Sequence, residues 1–214
     1  MVLEVSNEPV ARSDLADSRL PAAGQALRVF IAVPLAGPLR SAVAQVRERF
    51  AGEPSVRWVA PENLHITLRF LGAVPEARLD DVAAAAEEAS RQVGPFLLEL
   101  GSCGRFPPRG AARVLWVGIT AGGSELSTLA AALEEALARR GFPRESRAFQ
   151  PHVTVARIRE GRSFPAADQW LEEWQSRRFG QMQVEAVHIM ESRLQPQGPL
   201  YRSLRAVPLD SAGH

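Results

Sequence analysis

Leu64-His65-Ile66-Thr67-Leu68-Arg69 (LHITLR) returns later in the chain as Pro151-His152-Val153-Thr154-Val155-Ala156-Arg157 (PHVTVAR). Both copies alternate apolar and polar residues, the period of a half-buried strand whose successive side chains point to opposite faces. His65 and Thr67 therefore share one face, with Leu64, Ile66 and Leu68 on the other. In the second copy His152 and Thr154 face away from Val153 and Val155. Each copy is reached through a proline-bearing turn and has a helical pattern before it, which reads as one lobe repeated once rather than as a solenoid. The chain holds four histidines and four threonines. On a count of template matches, two His-x-Thr pairs among them arise by accident at roughly 0.2%.

Outward from these motifs the chain alternates strands and helices. Ala26 to Val33 (ALRVFIAV) reads as a buried strand closed by Pro34, and Leu39, Val43, Val46 and Phe50 recur at helical spacing up to Gly52. Val56 to Val59 is a short extended piece before the Pro61-Glu62-Asn63 turn. The strand from His65 to Phe70 stops at Gly72. Leu79 to Val93 carries a helical pattern, Phe96 to Leu100 a strand, Gly104 to Gly110 (GRFPPRG) a loop and Val114 to Ile119 a strand. Leu126 to Leu137 is the clearest helix, capped by Gly141. Phe149 to Ile158, Met182 to Ser192 and Tyr201 to Val207 read as strands, with a helix at Ala166 to Gln175 and a turn at Gln195 to Pro199. This interleaving predicts the α+β class. Residues 1–25 mix Ser, Asp, Asn, Pro and Gly without an apolar period and read as a flexible tail. Residues 26–208 form the expected single bilobal domain, and 209–214 a short C-terminal tail.

The 214 residues carry a formal net charge of +1, so a polyanionic partner must be met by locally gathered charge. Arg105, Arg109 and Arg113, around the Gly-Pro loop, are one candidate patch. All 25 basic residues are arginine. The missing lysines exclude a Walker-type phosphate-loop lysine, a Schiff base and a ligase that carries AMP on lysine. A lone cysteine, Cys103, excludes an internal disulfide and a multi-cysteine metal cage; it reads as a small core residue. No apolar run is long enough for a membrane span, and no export signal is legible. The expectation is a cytoplasmic protein without an obligate protein partner.

Two imidazoles facing each other suit displacement at phosphorus. Histidine titrates near neutrality, so one ring can accept a proton while the other donates one. The attacking and leaving oxygens lie roughly in line, and the two threonine hydroxyls can donate to the non-bridging oxygens. Neither metal nor cofactor is required. Arg69, two residues past Thr67, is expected on the histidine face, where it can meet phosphate. Strict alternation puts Arg157 with Val153 and Val155, so it reaches the groove only if the strand bends or ends. Phe30 and Phe70 can stack on a base, although core packing accounts for both. His188 reads as structural, and His214 is terminal.

The paired H-x-T-x motifs, HITL at His65 to Leu68 and HVTV at His152 to Val155, resemble those of the 2H phosphoesterase superfamily. RVFIAV, RWVAPENLHITLRFLG, FPPRGAARVLWVGI, LARRGFPRESRAFQPHVTVARI and VHIMESRLQPQGPLY, in that order, are similar to bacterial and archaeal RNA 2′,3′-cyclic phosphodiesterases, first described as 2′-5′ RNA ligases. The resemblance covers Leu27 to Val207. It implies two antiparallel sheets related by a pseudo-twofold, flanking a central groove with helices outside. It also implies metal-independent hydrolysis of RNA 2′,3′-cyclic phosphate ends, or of a small cyclic nucleotide, to 2′-phosphomonoesters. Under it His65 is the proton donor and His152 the acceptor, an order the residues themselves leave open. The same sequence admits three other readings: a non-catalytic RNA- or nucleotide-binding module, reversible 2′-5′ ligation, and a metal-dependent hydrolase, which would need a third ligand near the pair.

Overall fold

The computed structural model describes residues 26–195 and 198–210; the expected N-terminal tail, the centre of the Gln195-to-Pro199 turn and His214 lie outside them. Among the described residues there are nine antiparallel strands. They are β1 (Ala26–Pro34), β2 (Val56–Trp58), β3 (His65–Pro75), β4 (Phe96–Phe106), β5 (Val114–Ala121), β6 (Val153–Ile158), β7 (Arg178–Val184), β8 (Ala186–Gln195) and β9 (Gly198–Pro208). The helices are α1 (Gly37–Ala44), α2 (Leu79–Ser90), α3 (Gly123–Arg139) and α4 (Ala167–Trp174).

Strand order is β7-β4-β5-β6-β3-β1-β8-β9, with β2 also paired to β6. The order divides at β6 and β3 into two four-stranded halves, each with its His-x-Thr strand innermost. One residue pair, Ile66 with Val153, joins the halves. The two expected sheets are thus fused into one. Each half-sheet curls because its strands twist, and a single bridging pair is what two diverging curls permit. The curl brings the far edge back: Asn63 Nδ2 donates to Pro199 O at 2.8 Å, although Pro199 lies on β9, three strands from β3.

The helices pack on one side of the sheet and leave the other open. α2 lies against β8, β9 and α3; α3 also meets β3; α1 meets β7; and α4 meets β4. The main core runs beneath them. Val29, Ile31 and Val33 from β1, Leu126, Leu129 and Leu133 from α3, and Trp170 from α4 are all buried there, each side chain of this kind worth about 1.5–3 kcal/mol on burial. Trp170 Nε1 donates to Val46 O at 2.8 Å, which satisfies its polar atom and pins α4 to the turn after α1. A second, smaller cluster of Phe30, Ala32 and Met190, with Tyr201 against it, sits on the open side.

Several boundaries differ from the sequence reading. β3 continues past Gly72 to Pro75, because Leu71 bulges out and Gly72 takes φ +71. β4 runs on through Cys103 to Phe106, absorbing half of the expected loop. The second motif strand starts only at Val153, since Pro151 has no N–H to give to a ladder. The long strand expected around Met182 to Ser192 is two strands with a corner at Glu185. Leu209 is buried and its N–H donates to Glu185 O at 2.8 Å, so the domain extends past 208.

Candidate active site

The seam between β3 and β6 builds the site. From the Ile66–Val153 pair, antiparallel register sets Thr67 opposite His152 and His65 opposite Thr154. Ile66 and Val153 are fully buried toward the helices, so the other four side chains share the open face as a square with the histidines on its diagonal. Diagonal neighbours in such a ladder stand about 7–8 Å apart, room for a phosphoryl group between two rings.

Both rings are oriented alike. His65 Nδ1 lies 2.7 Å from Asn63 O and His152 Nδ1 2.7 Å from Gln150 O. A carbonyl only accepts, so Nδ1 carries the proton and donates it, leaving Nε2 to face the groove. His65 Nε2 is 3.0 Å from Thr67 Oγ1, whose hydroxyl donates to the neutral ring. The aromatic surroundings are matched too. Phe30 and Tyr201 pack on His65 with ring centroids at 5.0 and 5.3 Å, while Phe106 and Trp116 pack on His152 at 5.2 and 6.4 Å. Gly104 makes room for Trp116, since a Cβ there would stand 2.0 Å from the indole.

Burial is the main force on both imidazoles and pushes each below its ordinary value. Each carbonyl acceptor pushes back, and the Arg157 guanidinium lowers both further; His152 adds to the effect on His65. Tyr201 is raised by burial, against the pull of Arg157 and Arg28. The Cys103 thiol is pushed up to about 12 by burial alone and is inert as a nucleophile. His188 bonds Ser203 Oγ at 2.9 Å through Nδ1, on the open face of β8.

The two arginines of the motifs exchange the places that alternation assigns them. In β3, Thr67 pairs with Ala32 and Arg69 with Ile31, which leaves Leu68 as a bulge. The bulge reverses the alternation. Arg69 falls on the helix face, 9% exposed, with Nε 2.7 Å from Glu134 Oε2 in an ionic contact that lacks hydrogen-bond alignment. Its Nη atoms donate to Phe70 O and Pro143 O. The histidine-face expectation for Arg69 is thereby corrected: the extra residue turned it over toward Glu134 of α3, where it lines the cleft from the helix side. In β6, Thr154 pairs with Trp116 and Ala156 with Leu115, leaving Val155 as the equivalent bulge. Here the reversal brings Arg157 opposite Val114 on the groove face. The equivalent position in the first copy, two residues beyond the bulge, is Phe70, opposite Phe30 and 55% exposed. Phe30 itself is 2% exposed and forms the floor under His65.

The quartet opens into a cleft of about 720 Å³, lined also by Phe70, Arg147, Phe149, Arg157 and Tyr201. Of the expected basic patch, Arg105 instead meets Asp168 at 3.4 Å beside a separate depression. Tyr201, Phe106 and Trp116 escaped the sequence reading, although all three lie in quoted blocks: strand pairing sets Trp116 beside the second motif, opposite Thr154, and the curl of the sheet brings Tyr201 to His65. Among the described residues no cluster of three or more His, Cys, Asp or Glu side chains is arranged to hold a metal ion, and no helix is long and apolar enough to cross a membrane.

A curled antiparallel sheet with a His-x-Thr strand on each side of its seam defines a 2H phosphoesterase, the class that the paired motifs resemble. The chain belongs to the 2′-5′ RNA ligase superfamily, whose family model matches residues 34–195. A relative from Archaeoglobus fulgidus, named RNA 2′,3′-cyclic phosphodiesterase, is 36% identical over 179 residues, 84% of this chain and 98% of that one. Another of the same name from Aeropyrum pernix is 38% identical over 175 residues, 80% and 97% of the two chains. Among solved structures, TT0787 of Thermus thermophilus superposes with TM-score 0.74 at 28% identity, covering 87% of this chain and 100% of that one. E. coli LigT complexed with 3′-AMP follows at 0.69 and 25%, covering 86% and 99%.

Proposed function

We propose that the chain hydrolyses RNA 2′,3′-cyclic phosphate ends to 2′-phosphomonoesters, with His65 and His152 as the acid–base pair. The observation that carries this reading is the open-face square of His65, Thr67, His152 and Thr154 with Arg157 beside it. His152 Nε2 takes a proton from water as the oxygen attacks phosphorus, and His65 Nε2–H gives a proton to the departing 3′ oxygen. That order is the one the family resemblance implies. The two hydroxyls and Arg157 hold the non-bridging oxygens as charge builds on them.

In the free protein burial favours the neutral form of both rings. The substrate's own anion offsets that penalty, so a proton settles on one imidazole when the phosphate arrives. Protein groups supply every step. Phe70, exposed beside Phe30, offers a base the apolar face that RNA readers use for stacking. The names borne by the Archaeoglobus and Aeropyrum relatives support this substrate class, and an RNA end is the proposed partner. The test is to incubate the protein, in EDTA, with an oligoribonucleotide ending in a 2′,3′-cyclic phosphate. The expected product is the 2′-phosphomonoester; an untouched cyclic end, or turnover that needs an added divalent ion, would overturn the proposal.

A further inference from the structure

β2 pairs with the C-terminal half of β6, and its register sets Arg57 directly opposite Arg157. Directly opposed residues of an antiparallel pair share a face. The neighbours agree: Val56 opposes Ile158 and Trp58 opposes Ala156, all on the helix side, which leaves Arg57 and Val59 with the groove. Val59 lines the cleft, and Arg57, two residues earlier on the same face of the strand, is exposed.

Like charges set opposite one another across a strand pair are destabilising. Elsewhere in the chain arginines are drawn to carboxylates: Arg49 to Glu173, Arg140 to Glu88, Arg144 to Glu135 and Arg193 to Glu191. Neither Arg57 nor Arg157 forms an ion pair with any other described residue. An anion between or beside the two guanidiniums would relieve the repulsion. Arg157 is committed to the quartet, since its charge is felt by both histidines and by Tyr201. Arg57 lies one strand further out, about 5 Å across from Arg157, and three residues, or about 10 Å, along from the Thr154 level. A second phosphate is therefore its natural partner, adjacent along the strand to the one held by the histidines.

We infer that Arg57 binds the phosphodiester immediately upstream of the reacting cyclic phosphate, so that the site selects an oligonucleotide end over a cyclic mononucleotide. The inference rests on the groove being the cyclic-phosphate site proposed above. In the wild-type chain, KM for a short oligoribonucleotide with a cyclic-phosphate end should lie roughly tenfold below that for a nucleoside 2′,3′-cyclic phosphate, the low end for a charge-assisted hydrogen bond. Arg57→Gln should collapse that ratio toward one, and Arg57→Lys should restore part of it. A Gln variant that keeps the full wild-type ratio, or a wild-type chain with no preference, overturns the inference.

Binding separates this from failure of the reaction itself. Anisotropy of a labelled cyclic-ended oligonucleotide is read on His152→Ala protein, with and without Arg57→Gln, across salt concentration. Loss of one phosphate contact should make the slope of log K against log salt shallower by about 0.7. An unchanged slope sinks the inference even if hydrolysis is never observed.

Discussion

Replacing Arg157 by Met keeps an apolar stem and removes a charge to which the proposed reaction gives two effects. The first is on the bound phosphate. A hydrogen bond to a charged group is worth about 1.5–3 kcal/mol, so loss of the contact should lower kcat/KM on a cyclic-ended RNA by roughly 10- to 150-fold, at 1.36 kcal/mol per decade. The second is on the histidines. A nearby positive charge disfavours the imidazolium, and Arg157 lowers both His65 and His152. Removing it lets both rise, so the bell-shaped profile of kcat/KM should move to higher pH as a whole. Arg157→Lys keeps the charge without the planar fork; it should lose less rate and leave the bell in place. Initial rates of cyclic-end hydrolysis from acid to alkaline pH read both effects at once. Near-wild-type kcat/KM in the Met variant would refute the phosphate contact. A large loss with an unmoved bell would refute the electrostatic coupling between Arg157 and the pair.

His65→Ala and His152→Ala should each slow the reaction about 10²–10⁴-fold, and the double variant should fall short of the product because the rings act as a unit; single-turnover rates check this. Burial holds both rings below their ordinary 6.5 in the free protein, so kcat/KM should peak on the acid side of 6.5, with the two limbs belonging to the coupled pair. Folding stability should follow the same groups with a defined sign. His65, His152 and His188 are all lowered, so the folded state holds fewer protons, and stability should fall as pH drops below 6.5 toward the depressed values; urea midpoints across that window measure it. Ile66→Ala removes the fully buried residue that bridges the half-sheets and should cost about 2–5 kcal/mol, read by urea unfolding.

The period-2 pattern around His65 and His152 is legible because it is local: burial of Ile66 and Val153 imposes it, and the histidine–threonine pairs follow. The repeat likewise foretells two half-sheets, each with a motif strand. What fails to show is the bulges. A bulge adds one residue without changing composition, and LRF at Leu68 to Phe70 reads as smoothly as a regular strand, yet the extra residue sends Arg69 to Glu134 and Phe70 to the groove. Arg157 is the clue in hand: a motif arginine on the wrong parity requires a bend, and Val155 supplies it. Tyr201 is hidden for another reason. It meets His65 only because β9 curls back and Asn63 holds Pro199, a contact between distant elements that no local period encodes.

The bulges also offer a reason why the proposed, nearly symmetric pair would work in one direction. Up to Thr67 and Thr154 the two copies share a backbone pattern, each Nδ1 donating to the carbonyl two residues back and each ring lying among aromatics, and they differ in the Thr67 hydroxyl that donates to His65 Nε2. A substrate would see two equivalent faces and could bind either way round. Two residues past the bulge the difference widens. The first copy presents Phe70, apolar and exposed, and the second presents Arg157 with Arg57 opposite it. Under the proposed reaction, phosphate charge would be drawn to the arginine lobe and a base face to the phenylalanine lobe, which would fix one orientation. Water would then stand beside one histidine and the departing oxygen beside the other. Phe70→Arg should blur the distinction: cyclic-phosphate RNA would still bind, more tightly at low salt, but part of it the wrong way round. The expected reading is a fall in kcat with a KM no higher than wild type. A variant whose kcat is untouched would show that orientation is set elsewhere.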